Sequence, residues 1–242
     1  MWTYIIIGIV VVIGILLCLA LAVASFAFEN YNEKLRQLDE CDNEFGVSTL
    51  KYVEKINELC FGNGLEIVQC TEFEDHYSTN VVALSAKTMY SNSLASLAIV
   101  SHELGHARQD CSGNKLKKHW RNRRIGRFLG MLFMPLLLAG AVLSLLWVFS
   151  VLPEMLYLIL GLSFVGLSLL IFVFALVLKS NEIKIEKEAS VFAEEFLKQI
   201  LNEKELKSCR EFLNSARLTY WASLLRTMLS WTMLTKKDVM FR

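Results

Sequence analysis

Within Ser101-His102-Glu103-Leu104-Gly105-His106-Ala107-Arg108-Gln109, two histidines stand four positions apart with a glutamate beside the first. On an α-helix, positions i and i+4 share a face, so His102 and His106 can turn ring nitrogens toward one divalent cation. Glu103 lies just off that axis, where a carboxylate can take a proton from an attacking water. These are the ligands and the base of a zinc hydrolase: His102 and His106 as metal candidates, Glu103 as the catalytic one. The chain's own histidine and glutamate frequencies give the pattern a random expectation of roughly half a percent. Two of the four histidines fall inside it.

Such a pair works only on a well-placed helix, and the flanking residues supply one. Ser91-Asn92-Ser93 offers N-cap chemistry, and Leu94, Leu97, Ala98, Val100, Leu104 and Ala107 form an apolar side, which predicts a buried helix over about 92–110. Upstream, Val47 to Cys60 reads as an amphipathic helix with Leu50, Val53, Ile56 and Leu59 at helical spacing, ended by Gly62-Asn63-Gly64. Leu65 to Cys70 and Val81 to Ser85 read as short strands around an acidic turn, predicting a small sheet beside the histidine helix. An edge strand there can hold an extended peptide by main-chain pairing.

A catalytic zinc takes three protein ligands and keeps one position for water. No third histidine follows at the HExxHxxGxxH spacing, because Ser112 occupies that position. The remaining candidates are acidic, densest at Glu182, Glu186, Glu188, Glu194 and Glu195 on a helix predicted from Asn181 to Leu201. Glutamates along a helix are ordinarily a solvated face, so spacing does not choose among them.

Composition sets the surroundings. Hydrophobic residues make up 54% of 242 and the mean hydropathy is +0.42, too apolar for an ordinary soluble domain of this length. The excess is concentrated: Tyr4 to Phe28, Phe128 to Pro153 and Met155 to Leu178 carry no charge, and each is long enough to cross a bilayer as a helix. The predicted fold class is a mainly α membrane protein with a small β-sheet. Transmembrane helix 1 spans 4–28, a catalytic part 29–127, a transmembrane hairpin 128–178, and cytoplasmic or interfacial helices 179–242. Leu218 to Leu234 is also apolar but is interrupted by Arg226 and dotted with hydroxyls. It reads as a helix packed on the catalytic domain or lying at the membrane interface, with insertion as a fourth span the lesser reading. Met1-Trp2-Thr3-Tyr4 lacks the positive region of a secretory signal, which favours an uncleaved anchor.

Lys and Arg set the orientation: thirteen fall in 29–127, none in 128–178 and twelve in 179–242. Both basic segments, and the site with them, are expected in the cytoplasm. The cluster Lys115, Lys117, Lys118, Arg121, Arg123, Arg124 and Arg127 abuts a span in a chain of net charge +1, so anionic lipid headgroups suit it better than nucleic acid. His119, within the cluster, is expected on the surface. The six cysteines show no CxxC pair, and reduced thiols are expected.

Five patches carry a resemblance: Asp75-His76-Tyr77, Asn92 to Ser96, Ser101 to Gln109, Glu186-Lys187-Glu188-Ala189-Ser190 and Arg217-Leu218-Thr219-Tyr220. With this layout the chain resembles the bacterial membrane-bound YugP-type neutral zinc metallopeptidases. The resemblance implies a zincin-like catalytic domain, one Zn²⁺, and Glu186 as the third zinc ligand. The chain departs from the family pattern at Lys187 and at Glu188, whose arm is longer than the aspartate expected there. His76 and Tyr220, each in a matching patch, are candidate donors to an oxyanion.

The function expected is a membrane-embedded zinc metallopeptidase acting on peptides or membrane proteins. Two alternatives stand beside it: a non-catalytic membrane scaffold stapled by zinc, and a zinc hydrolase of a non-peptide amide or ester. An intact Glu103 argues against the scaffold, since a structural site needs no base beside its ligand.

Overall fold

The fold is that of a computed structural model describing residues 2–71, 75–113 and 115–229. Its elements are α1 (Trp2–Asp39), α2 (Thr49–Phe61), β1 (Glu66–Cys70), β2 (His76–Ser78), β3 (Val81–Ser85), α3 (Ala86–Tyr90), α4 (Leu94–Cys111), α5 (Lys115–Val148), α6 (Met155–Leu197) and α7 (Glu203–Leu229). The chain is therefore mainly helical around one small sheet, as composition and periodicity predict. It forms two compact units. Among described residues, one holds 2–27, 121–182 and 220–229, and the other 28–71, 75–113, 115–120 and 183–219.

Among the described residues, three helices are long and apolar enough to cross a membrane: Gly14–Asp39, Arg121–Val148 and Met155–Leu197. The third differs from the expected layout, in which a separate helix begins at Asn181. No glycine or proline follows Gly166 before Leu197, so nothing breaks the ladder and α6 runs for 43 residues. That is about twice the ~20 residues a bilayer core requires. The apolar half ends at Leu178, and the glutamates ride on the remainder.

Within the span unit, α5 and α6 meet through small residues. A Cβ added to Gly140 would lie 2.7 Å from the Gly161 carbonyl oxygen and 2.8 Å from the Val165 nitrogen. Ser144 Oγ donates back to the Gly140 carbonyl at 2.8 Å, hiding its hydroxyl at the crossing. Leu224 of α7 packs with Phe133, Leu137 and Ala175 in this unit. Of the 218–234 stretch, read from sequence as packed on the catalytic domain or lying at the membrane interface, Tyr220 to Leu229 falls in the span unit. Residues 230–234 of that stretch, like the side chains of Lys115, Lys117, Lys118 and His119, lie outside the described residues.

In the other unit, α2 buries Tyr52, Val53 and Ile56 and ends at Gly62, whose φ of 59° is the left-handed conformation of a helix cap. Leu59, placed on the apolar face by spacing, is 63% exposed. The sheet has strand order β1-β3-β2, with β1 and β3 parallel and β2 and β3 antiparallel. Two strands were expected and three are present; β2, only three residues long, is too short for a period-2 signal. The strand at Val81–Ser85 is central, so the sheet edges are β1 and β2. Thr79 and Asn80, at φ 25° and 66°, make the tight β2–β3 turn.

Replacing Gly140 by alanine is expected to destabilise the protein by roughly 1–3 kcal/mol through overpacking at backbone atoms. Gly126→Ala, where an added Cβ meets nothing within 4 Å, is expected to leave stability unchanged or slightly raised. Unfolding in mixed detergent would measure both.

Candidate metal centre

Ser93 caps α4, its hydroxyl accepting from the Ser96 N–H at 3.2 Å, and extended Ser93 backbone starts the helix one residue later. Leu97, Ala98, Val100, Leu104 and Ala107 are fully buried, so α4 lies in the core of its unit rather than on it. One residue decides what it packs against. A Cβ at Gly105 would fall 2.3 Å from the Ala189 carbonyl oxygen, so only glycine lets α4 press its backbone onto α6. Ala189 is itself fully buried at this contact.

The close approach brings Glu186, one turn before Ala189, to both histidines. Its Oε2 lies 3.1 Å from His102 Nε2 and 3.4 Å from His106 Nε2, and the three donor atoms fall within 4.8 Å of one another. Four ligands placed tetrahedrally at about 2.0–2.1 Å from zinc are roughly 3.3 Å apart. Two imidazoles and a carboxylate suit zinc in donor type, and both Glu186 contacts fall at that spacing.

The rings are oriented from behind. Ser190 Oγ lies 3.3 Å from His102 Nδ1 and donates its own proton to the Glu186 carbonyl at 3.0 Å. With its proton committed, Ser190 accepts from the imidazole, which places the His102 proton on Nδ1 and leaves Nε2 for the metal. His106 Nδ1 faces Gln109 Oε1 at 3.0 Å. Gln109 carries no signal of its own in the sequence, because an amide three residues from a histidine reads as any helix residue.

Glu103 stands beside the cluster with its Oε2 accepting the Tyr77 N–H of β2 at 2.8 Å. Tyr77 is held by its other end too: its hydroxyl donates to Asp110 Oδ2 at 3.0 Å and accepts the Asn80 N–H at 2.9 Å. Burial pushes the Glu103 carboxyl above the usual carboxylate range, against the pull of His106 and His102. For His106, burial favours the neutral ring, but the Glu186 carboxylate and its hydrogen bond outweigh it and raise the imidazole to about 9.

The other glutamates are engaged elsewhere. Glu182 belongs to the span unit, where Lys179 Nζ donates to it at 2.8 Å and Arg123 Nε lies 3.7 Å away. Glu188 accepts from Gln109 at 3.0 Å, Glu194 from Arg210 at 2.9 Å and Glu195 from Arg108 at 2.6 Å. His76 sits on β2 immediately before Tyr77. Tyr220 lies in the span unit, its ring 5.1 Å from the Lys179 ammonium.

The profile of the family described as "Putative neutral zinc metallopeptidase" matches residues 4–236. A relative from Bacillus subtilis (strain 168), named "Putative membrane protease YugP", is 26% identical over 208 residues, covering 84% of each chain. No solved structure matches the chain.

Two outcomes are expected. Gly105→Ala should separate α4 from α6 and lose stoichiometric zinc, measured by elemental analysis of detergent-purified protein, with helix content retained. The His106⁺–Glu186⁻ pair stabilises metal-free protein fully below the ordinary histidine pKa of 6.5, and that contribution is lost as pH rises through about 9. The melting temperature of chelator-treated protein should therefore fall between pH 6.5 and 9, and His106→Gln should remove this component of the slope.

Proposed function

The chain belongs to the family whose profile it matches along nearly its whole length, and on that premise we propose that it is a membrane-bound zinc metallopeptidase. The observation that carries this reading is the convergence of His102, His106 and Glu186 beside Glu103. Bound zinc at those three residues would polarise a substrate carbonyl and lower the pKa of a water.

The chain's own groups supply the rest. Tyr77 N–H holds Glu103 Oε2, which leaves Oε1 to accept the proton of the attacking water. A carboxyl raised by burial takes up that proton more readily than an exposed one and holds it until the leaving amine, a stronger base, accepts it as the peptide bond breaks. β2 is the sheet edge whose N–H meets Glu103, so an extended substrate pairing there would compete with Glu103 for that donor. His102 and His106 present Nε2 inward because Ser190 and Gln109 occupy their Nδ1 positions.

Substrates are peptides or segments of membrane proteins that reach the membrane surface, since three apolar helices tie the unit to a bilayer. A hairpin without Lys or Arg between two Lys- and Arg-rich segments supports a site on the cytoplasmic side.

Glu103→Gln is expected to bind one zinc per chain as the wild type does. Its cleavage of casein or a peptide library should fall by a factor of about 10²–10⁴ or more. Glu186→Ala should lose the zinc. Undiminished cleavage by Glu103→Gln, or full zinc retention by Glu186→Ala, would overturn the reading.

A further inference from the structure

Gln109 is fully buried, and neither the ligand set nor the base accounts for it. A buried primary amide must satisfy two N–H donors and a carbonyl oxygen. Here Nε2 donates to the Ile185 carbonyl at 2.8 Å and to Glu188 Oε2 at 3.0 Å, while Oε1 faces His106 Nδ1 at 3.0 Å. The orientation is forced. Both partners of Nε2 are pure acceptors, so turning the amide over would set its oxygen against two oxygens. With Oε1 toward the ring, His106 Nδ1 must carry a proton, and the metal-facing atom is Nε2.

The two anchors of the amide flank Glu186, at one position before and two positions after it on α6. One side chain on α4 thus reads the position of the Glu186-bearing turn and orients a histidine to match. Glu188 makes that hydrogen bond charge-assisted, and a donor so engaged leaves the amide carbonyl a stronger acceptor for the ring N–H. The longer arm at position 188 has a use here: its carboxylate reaches the amide instead of the metal.

We propose that Glu188 and Gln109 form a positioning relay that holds His106 with Nε2 directed at the metal, Glu188 acting only through Gln109. The relay sets how tightly the site holds zinc. It rests on the reading of His106 as a zinc ligand.

The test is zinc affinity of the full-length protein in detergent, measured by competition with a chromophoric chelator. The variants are Gln109→Leu, Glu188→Gln, the double substitution, and His106→Ala as reference. Gln109→Leu is expected to weaken zinc binding by about 10- to 100-fold. Glu188→Gln keeps an acceptor for the amide but removes the charge, and a loss of about fivefold is expected. The double variant should bind like Gln109→Leu alone, as a relay that runs from Glu188 through Gln109 requires. The visible spectrum of the cobalt-loaded protein should shift in Gln109→Leu, which a loss of packing remote from the metal would not cause. Wild-type affinity in folded Gln109→Leu overturns the relay. Additive losses in the double variant overturn the claim that Glu188 acts through Gln109. If Gln109→Leu does not fold, as judged by circular dichroism, Glu188→Gln decides, and unchanged affinity there overturns the relay. Undiminished zinc binding by His106→Ala overturns the ligand reading itself, and the relay with it.

Discussion

The backbone contact between Gly105 and Ala189 is the constraint on which the site depends. Helix axes with ordinary side chains between them sit about 8–10 Å apart. Here the backbones themselves come into contact, and beside that contact a glutamate on α6 lies within 3.1–3.4 Å of two ring nitrogens on α4. The glycine removes the intervening side chain, and Ala189 presents the smallest one opposite. Around the contact, Arg108 stacks 4.5 Å over the Phe192 ring and pairs with Glu195, and Ala193 and Phe196 complete the apolar packing.

The same closeness creates an electrostatic load. Two imidazoles and two carboxylates share a small, largely desolvated space, where unpaired charge is expensive. In the metal-free state the load is relieved by proton sharing between Glu186 and the histidines, which raises the His106 imidazole to about 9. Each polar atom behind the cluster has a directed partner as well: Ser190 for His102, Gln109 for His106 and the Tyr77 N–H for Glu103. The arrangement is preorganised for a cation, because the outside partners leave Nε2 of both histidines facing the Glu186 carboxylate.

Glu103 is restrained from a different element. The N–H it receives comes from an edge strand whose tyrosine is pinned through Asp110 to the last turn of α4, the helix that carries the glutamate itself. Strand and helix are thus fastened at two points about two turns apart. A base held this way keeps one oxygen available without an additional ion-pair partner, which would depress its proton affinity.

The sequence by itself determined what local chemistry and hydropathy encode. His102, Glu103 and His106 were legible because a four-residue repeat is a helix face. Ser93 was legible as a cap, and the charge-free runs as helices long enough for a bilayer. It also showed that a third ligand, if acidic, lay among a few glutamates after the hairpin. Spacing did not choose among them; the resemblance pointed to Glu186, and the tertiary structure is what brings Glu186 to both histidines. Glu182, Glu186 and Glu188 are the same residue type within two turns of one helix, and their separation follows from which face meets Gly105. Likewise the Tyr77 clamp on Glu103 and the Gln109 contacts to α6 join residues 26 to 79 positions apart in the chain. Such pairings leave no periodicity, because they are fixed by the packing of α4 against α6 and β2 rather than by any preference of the local chain.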